Sequence, residues 1–150
     1  MGGTLFEGSW ITPYLITRGA DGAIAFYVAA FGAVENYRLT DPQSGKIGHA
    51  ELRIGEATFM LADEHPDFGA LSPTTIGGTP VLLHLSVADA DETVARAERA
   101  GATVLRPVKD QMHGERSGMI ADPFGHHWFL GTPIAEVSPE EMQARYDEAD

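Results

Sequence analysis

The 150-residue chain contains no cysteine, which removes disulfide frameworks, thiolate metal sites and cysteine nucleophiles from consideration. Long apolar runs are also missing: nothing approaches the roughly 20 residues that span a bilayer, so no membrane partner is expected. The opening Met1-Gly2-Gly3-Thr4-Leu5-Phe6-Glu7 has neither the basic start nor the apolar stretch of a secretory signal, and cytoplasmic residence is the expectation. Bases are scarce. Ten Lys and Arg face 22 Asp and Glu, a net charge of −12 that repels nucleic acid, serves solubility first, and could also draw in a cationic ligand. Much of this excess is terminal, with six acids from Glu136 to Asp150 opposed only by Arg145. That tail opens with Ser138-Pro139-Glu140-Glu141, a capping-box start that predicts a short C-terminal helix. Nucleophile elbows, phosphate-cradling glycine loops and His-Glu-x-x-His helices are absent.

What is present is a near-repeat. The first half reads as strand Ile11–Thr17, a helix ending at Gly32-Ala33, then strands Val34–Leu39, His49–Ile54 and Ala57–Ala62. The second reads as strand Val81–Val87, a helix from about Ala90 to Ala100 ending at Gly101-Ala102, then Thr103–Val108, Ser117–Ala121 and His126–Leu130. Gly32 matches Gly101 and Met60 matches Phe129 at an offset of roughly seventy residues, the mark of an internal repeat. Asp21 stands where it would cap the first helix, and Gly55-Glu56 predicts a hairpin that pairs Ile54 with Ala57. Asp122-Pro123-Phe124-Gly125 is a type I turn sequence. The expected architecture is α+β: two βαβββ modules forming a cup-shaped mixed sheet barrel, followed by the short helix. One domain spans residues 1–150, with module 1 at about 10–62, a linker at 63–79, module 2 at about 80–132 and a tail at 133–150.

Strand alternation sorts side chains into a helix-covered face and a concave face. Ala50, Leu52 and Ile54 belong to the first; His49, Glu51 and Arg53 belong to the second, with Thr58 and Met60 beside them. In module 2, Leu83, Leu85 and Val87 face the helix, which leaves Leu82, His84 and Ser86 concave; Thr12, Tyr14, His127 and Phe129 follow the same rule. A small organic ligand is therefore expected against Tyr14, Glu51, Arg53, Met60, His84 and Phe129, a mixture of apolar wall and a few polar groups. His65 and His113 fall in loops and read as surface residues, and His126 as bonded at its turn.

Several segments together resemble the vicinal-oxygen-chelate superfamily of glyoxalases, bleomycin-resistance proteins and extradiol dioxygenases, and within it the PhnB-like, glyoxalase-like branch. They are Ile11-Thr12-Pro13-Tyr14-Leu15 and Phe31-Gly32-Ala33, then Gly48-His49-Ala50-Glu51-Leu52-Arg53-Ile54-Gly55. Gly114-Glu115-Arg116-Ser117-Gly118 and Asp122-Pro123-Phe124-Gly125-His126-His127-Trp128 complete the set. The resemblance implies a homodimer and four metal-ligand positions that fall here on Thr12, Met60, Leu82 and Phe129. A thioether, a phenyl ring and an isobutyl group make a poor ligand set, so neither metal nor other cofactor is expected. The implied function is small-molecule binding of the glyoxalase/bleomycin-resistance type. The alternative is a metal-dependent lyase, epimerase or dioxygenase using a shifted site at His49, Glu51 and His84.

Overall fold

The computed structural model describes residues 8–149, so the Met1–Glu7 segment lies outside it. The first module runs β1 (Tyr14–Thr17), α1 (Ala20–Phe31), β2 (Val34–Thr40), β3 (Ile47–Ile54) and β4 (Ala57–Asp63). A 3-10 turn at Pro66–Phe68 and the single-turn α2 (Pro73–Ile76) occupy the connection. The second module repeats the order as β5 (Leu82–Ser86), α3 (Ala90–Arg99), β6 (Thr103–Asp110), β7 (Glu115–Ala121) and β8 (His127–Pro133). The short C-terminal helix, α4 (Pro139–Glu148), starts at Ser138, whose hydroxyl accepts from the Glu141 amide.

Each module is a four-stranded mixed sheet, ordered β1-β4-β3-β2 and β5-β8-β7-β6. The first strand pairs in parallel with the last, which demands a helical crossover; the other pairs are antiparallel hairpins. The repeat is written into the register: Tyr14 lies opposite Met60, and His84 opposite Phe129, again about seventy residues apart. Ile54 pairs with Ala57 as the Gly55-Glu56 turn requires.

Helix capping corrects one expectation. Asp21 sits inside the first turn of α1 and binds Arg38 at 2.7 Å instead of capping. The cap comes from Asp63, at the far end of β4, whose Oδ1 accepts from the amides of Gly19 (3.0 Å) and Ala20 (2.7 Å). Module 2 uses the equivalent place: Thr132 in β8 accepts from the Ala90 amide at 2.8 Å. In both modules the last strand thus fixes the start of its crossover helix, satisfying an orphan N–H.

The helix-covered faces of both sheets close onto one core. α1 is buried around most of its circumference (Ala23, Ile24, Phe26, Tyr27, Ala30, Phe31), because it packs on its own sheet and on α3. α3 buries only the stripe Ala90, Val94 and Ala97. Where the modules meet, Trp128 packs on Tyr27 (5.5 Å between centroids) and on Phe31 at 5.0 Å.

Asp122, only 4% exposed, ties this junction. One oxygen accepts from the amides of Phe124 (2.9 Å) and His126 (3.0 Å), forming the expected turn. The other accepts from the Tyr27 hydroxyl (2.5 Å) and the Trp128 indole (3.0 Å). His126 then donates through Nε2 to the Ile16 carbonyl at 2.9 Å, a second bolt between modules.

Burial, and next the adjacent Asp122 carboxylate, push the Tyr27 phenol well above its ordinary value of 10.0. The neutral phenol is the form the fold favours. Its contribution is complete below pH 10 and is lost as pH rises from there toward the higher folded value. Urea unfolding of the wild type should therefore lose stability above pH 10 more steeply than Tyr27→Phe, which has no proton to lose. Parallel curves would show that Tyr27 ionises freely. Asp122→Ala should cost about 3 kcal/mol or more, since it strands two buried side-chain donors.

Candidate functional site

The sheet faces opposite the core carry the polar groups. Along β3, Ala50 and Leu52 are buried while His49 and Glu51 are only partly covered; along β8, Trp128 and Leu130 are buried and Phe129 is not. This alternation matches the faces read from the sequence.

In module 2 the outward face forms a cavity of about 480 Å3 lined by His84, Phe129, Glu115, His113, Arg106 and Lys109, with Pro107, Gln111, Ser117 and Gly118. Its polar centre is built over a glycine. Glu115 on β7 reaches across β8 to His84 on β5, bringing Oε2 within 2.7 Å of Nε2. Between them stands Gly131, and a Cβ there would fall inside the Glu115 carboxylate. Because a carboxylate only accepts, Nε2 of His84 carries a proton, and in the neutral imidazole Nδ1 keeps its lone pair. The other carboxylate oxygen lies 3.6 Å from Nε2 of His113. His113 is presented by the β6–β7 turn, where Gly114 takes a left-handed φ of 93° and the Gly114 amide bonds the Gln111 carbonyl.

Module 1 carries a different arrangement. His49 is held on both ring nitrogens by phenols, Nδ1 by Tyr14 (2.7 Å) and Nε2 by Tyr37 (3.1 Å). Glu51 accepts from the Asn36 amide at 2.9 Å. Partial burial, and next the nearby Tyr37, raise the Tyr14 phenol above its ordinary value. Tyr14 also lines a separate cavity of about 570 Å3, together with Ile16, Lys46 and the stacked His65 and Phe68 of the connection. A groove of about 680 Å3 lies between the sheets, with Thr12, Glu51 and Met60 on one side and Leu83 and His84 on the other.

The six residues assigned from the sequence are thus distributed. His84 and Phe129 share the module 2 cavity; Glu51, Met60 and His84 share the groove; Tyr14 lines the module 1 cavity. Arg53 is exposed on the module 1 sheet and lines none of the three. Glu115, His113, Arg106 and Lys109 were not among the six. Glu115 and His113 escape because β7 begins at Glu115, two residues earlier than its pattern suggests, and His113 lies in the turn before it. Arg106 and Lys109 escape because the register of β6 slips twice, between Val104 and Arg106 and again between Arg106 and Lys109. A regular strand would send residues three apart to opposite faces; the irregularity brings both to one cavity.

The residues do not fit a divalent ion. Met60 and Phe129 lie in the central strands as thioether and phenyl. Among the described residues no three of His, Asp and Glu converge to hold a metal. His49, Glu51 and His84 are each engaged separately, by two phenols, by Asn36 and by Glu115.

The chain belongs to the Glyoxalase/Bleomycin resistance protein/Dioxygenase superfamily, whose sequence signature matches residues 10–130. An uncharacterized protein of Mycobacterium tuberculosis is 49% identical over 137 residues, covering 89% of this chain and 80% of that protein. Among solved structures, TioX from Micromonospora sp. ML1 is similar at 27% identity with a TM-score of 0.65, covering 85% of this chain and 100% of TioX. A Pseudomonas aeruginosa protein shares the fold at a TM-score of 0.69 and 24% identity, with 85% of this chain and 100% of that one covered.

Protein purified without chelators should carry well under one equivalent of iron, zinc, nickel or manganese by elemental analysis. Stoichiometric metal that disappears in His84→Ala would overturn the reading of these side chains.

Proposed function

We propose that this protein binds a small organic molecule in the module 2 cavity and acts by holding it. One observation carries the reading: the polar pair of His84 and Glu115 is assembled over Gly131 beside the Phe129 ring, in a cavity of a size that suits a small ligand. Phe129 and Pro107 supply apolar wall beside several polar and charged side chains, a mixture that supports recognition, and superfamily membership is compatible with it. The described residues hold no helix long and apolar enough to cross a membrane, and residence in the cytoplasm is part of the proposal. The metal-dependent lyase, epimerase or dioxygenase alternative has no convergent ligand set to support it.

The proposal extends to a homodimer. Tyr37, Leu39 and Leu82 are exposed on or beside the faces that carry the cavities, and Leu39 is 59% accessible. Apolar surface at the edges of open sheets is ordinarily covered. A second copy would cover it, and would add Tyr14, Glu51, Arg53 and Met60 of one chain to His84 and Phe129 of another. Light scattering at micromolar concentration should give twice the chain mass, and a monomer would remove this part of the proposal.

The binding reading is tested by a thermal-shift screen followed by calorimetry on variants. His84→Ala and Phe129→Ala should each weaken a hit by about 1–3 kcal/mol, the usual consequence of leaving a buried partner or ring contact unmade. Glu140→Gln, on exposed α4, should leave affinity unchanged. A ligand indifferent to both cavity variants would place the site elsewhere.

A further inference from the structure

We infer that the module 2 cavity takes an organic oxyanion, an acid whose carboxylate or phosphoryl group meets Arg106 and Lys109 while its apolar body lies on Phe129. The inference rests on the proposed site and runs against the overall charge. Acids outnumber bases 22 to 10, yet half of the bases bond no carboxylate, and where those fall is informative. Among the described residues Arg18, Arg38, Arg99, Arg116 and Arg145 each bond a carboxylate, and Arg96 bonds the Ala29 carbonyl. Lys46, Arg53, Arg106 and Lys109 have no such partner, and two of these four line this single cavity.

Their arrival together is a consequence of the backbone. Three residues apart on β6, they share a face only because the register slips on both sides of Arg106. Gly118 on β7 makes room for that path, since a Cβ there would press on Val108 and on the backbone of β6. The one carboxylate in the lining, Glu115, is 13% exposed and already engaged by His84, with His113 close by. The cavity therefore holds two cations with no direct carboxylate partner, and one carboxylate bonded elsewhere, in a protein of net charge −12. Guanidinium and ammonium groups at the rim of an apolar hollow form strong, charge-assisted hydrogen bonds to oxyanions. Nδ1 of His84, an acceptor in the neutral imidazole, can meet a hydroxyl or N–H elsewhere on the same ligand.

The experiment titrates isotope-labelled protein with four matched probes, benzoate, phenylphosphonate, benzamide and benzylammonium, following backbone amides by NMR. Benzoate or phenylphosphonate should shift Gln111, Gly118 and Phe129, and the stronger of the two identifies the preferred oxyanion. Benzamide and benzylammonium should shift them far less. Arg106→Gln and Lys109→Gln, both at exposed positions, should each weaken the favoured probe roughly tenfold or more, the scale of a lost charged hydrogen bond. Lys46→Gln, an unpaired cation of the other module, should change nothing. If benzamide or benzylammonium binds in the cavity as well as the anions do, or if both cavity variants keep full affinity, the oxyanion assignment fails while the site stands. If no probe moves these amides, or shifts appear only elsewhere, the binding site itself is wrong and the inference falls with it.

Discussion

The Asp122 carboxylate is the constraint around which the two modules are organised. An ionised carboxylate offers about four acceptor directions, and all four are used here, two by the amides of its own turn and two by side chains. Burying a charge with no cation beside it costs several kcal/mol unless every direction is met. The same carboxylate thus holds the turn, the Trp128 indole and the Tyr27 side chain of α1. Tyr27 belongs to the first module and Trp128 to the second, so the carboxylate sets how the two halves meet. His126 is positioned by the same turn when it bonds the Ile16 carbonyl. The strands that carry the candidate site hang from this junction: β8, with Phe129 and Gly131, begins two residues beyond the turn.

That dependence explains which features were legible in the sequence. Strands β3 and β4 alternate cleanly and are joined by a two-residue turn, so the faces of His49, Glu51 and Met60 follow from period two alone. The offset between Met60 and Phe129 reappears in the register for the same reason. Capping was less legible, because Asp63 acts on α1 across more than forty residues and no local pattern announces it. β6 was the least legible. Arg106 and Lys109, three apart, break the strand period, and only the pairing with β7 shows them on one side. Of the residues that alternation misses, Arg106 and Lys109 are re-aimed by these irregularities, while Glu115 and His113 lie where β7 begins and in the turn before it.

Net charge describes the whole chain and not the cavity, for a related reason. A sum over the chain weights the acids of α4 and its flanks equally with groups inside a hollow, yet exposed charges beyond about 10 Å are screened at ordinary ionic strength. What a ligand meets is the local set: two cations, one engaged carboxylate and two imidazoles. The acidic exterior and the basic hollow are compatible because they act over different distances.

Duplication makes the contrast between the modules informative. The same strand order and register put Tyr14 beside Met60 in one sheet and His84 beside Phe129 in the other. In module 1 an imidazole is fixed by two phenols, leaving neither nitrogen for anything else. In module 2 an imidazole is fixed at one nitrogen by a carboxylate, and the other remains available. The difference depends on Gly131, because any side chain at that place would block the reach of Glu115 across β8. One scaffold thus holds a closed polar cluster and an open one, and an open cluster with unpaired cations beside it is where a ligand has polar groups left to satisfy.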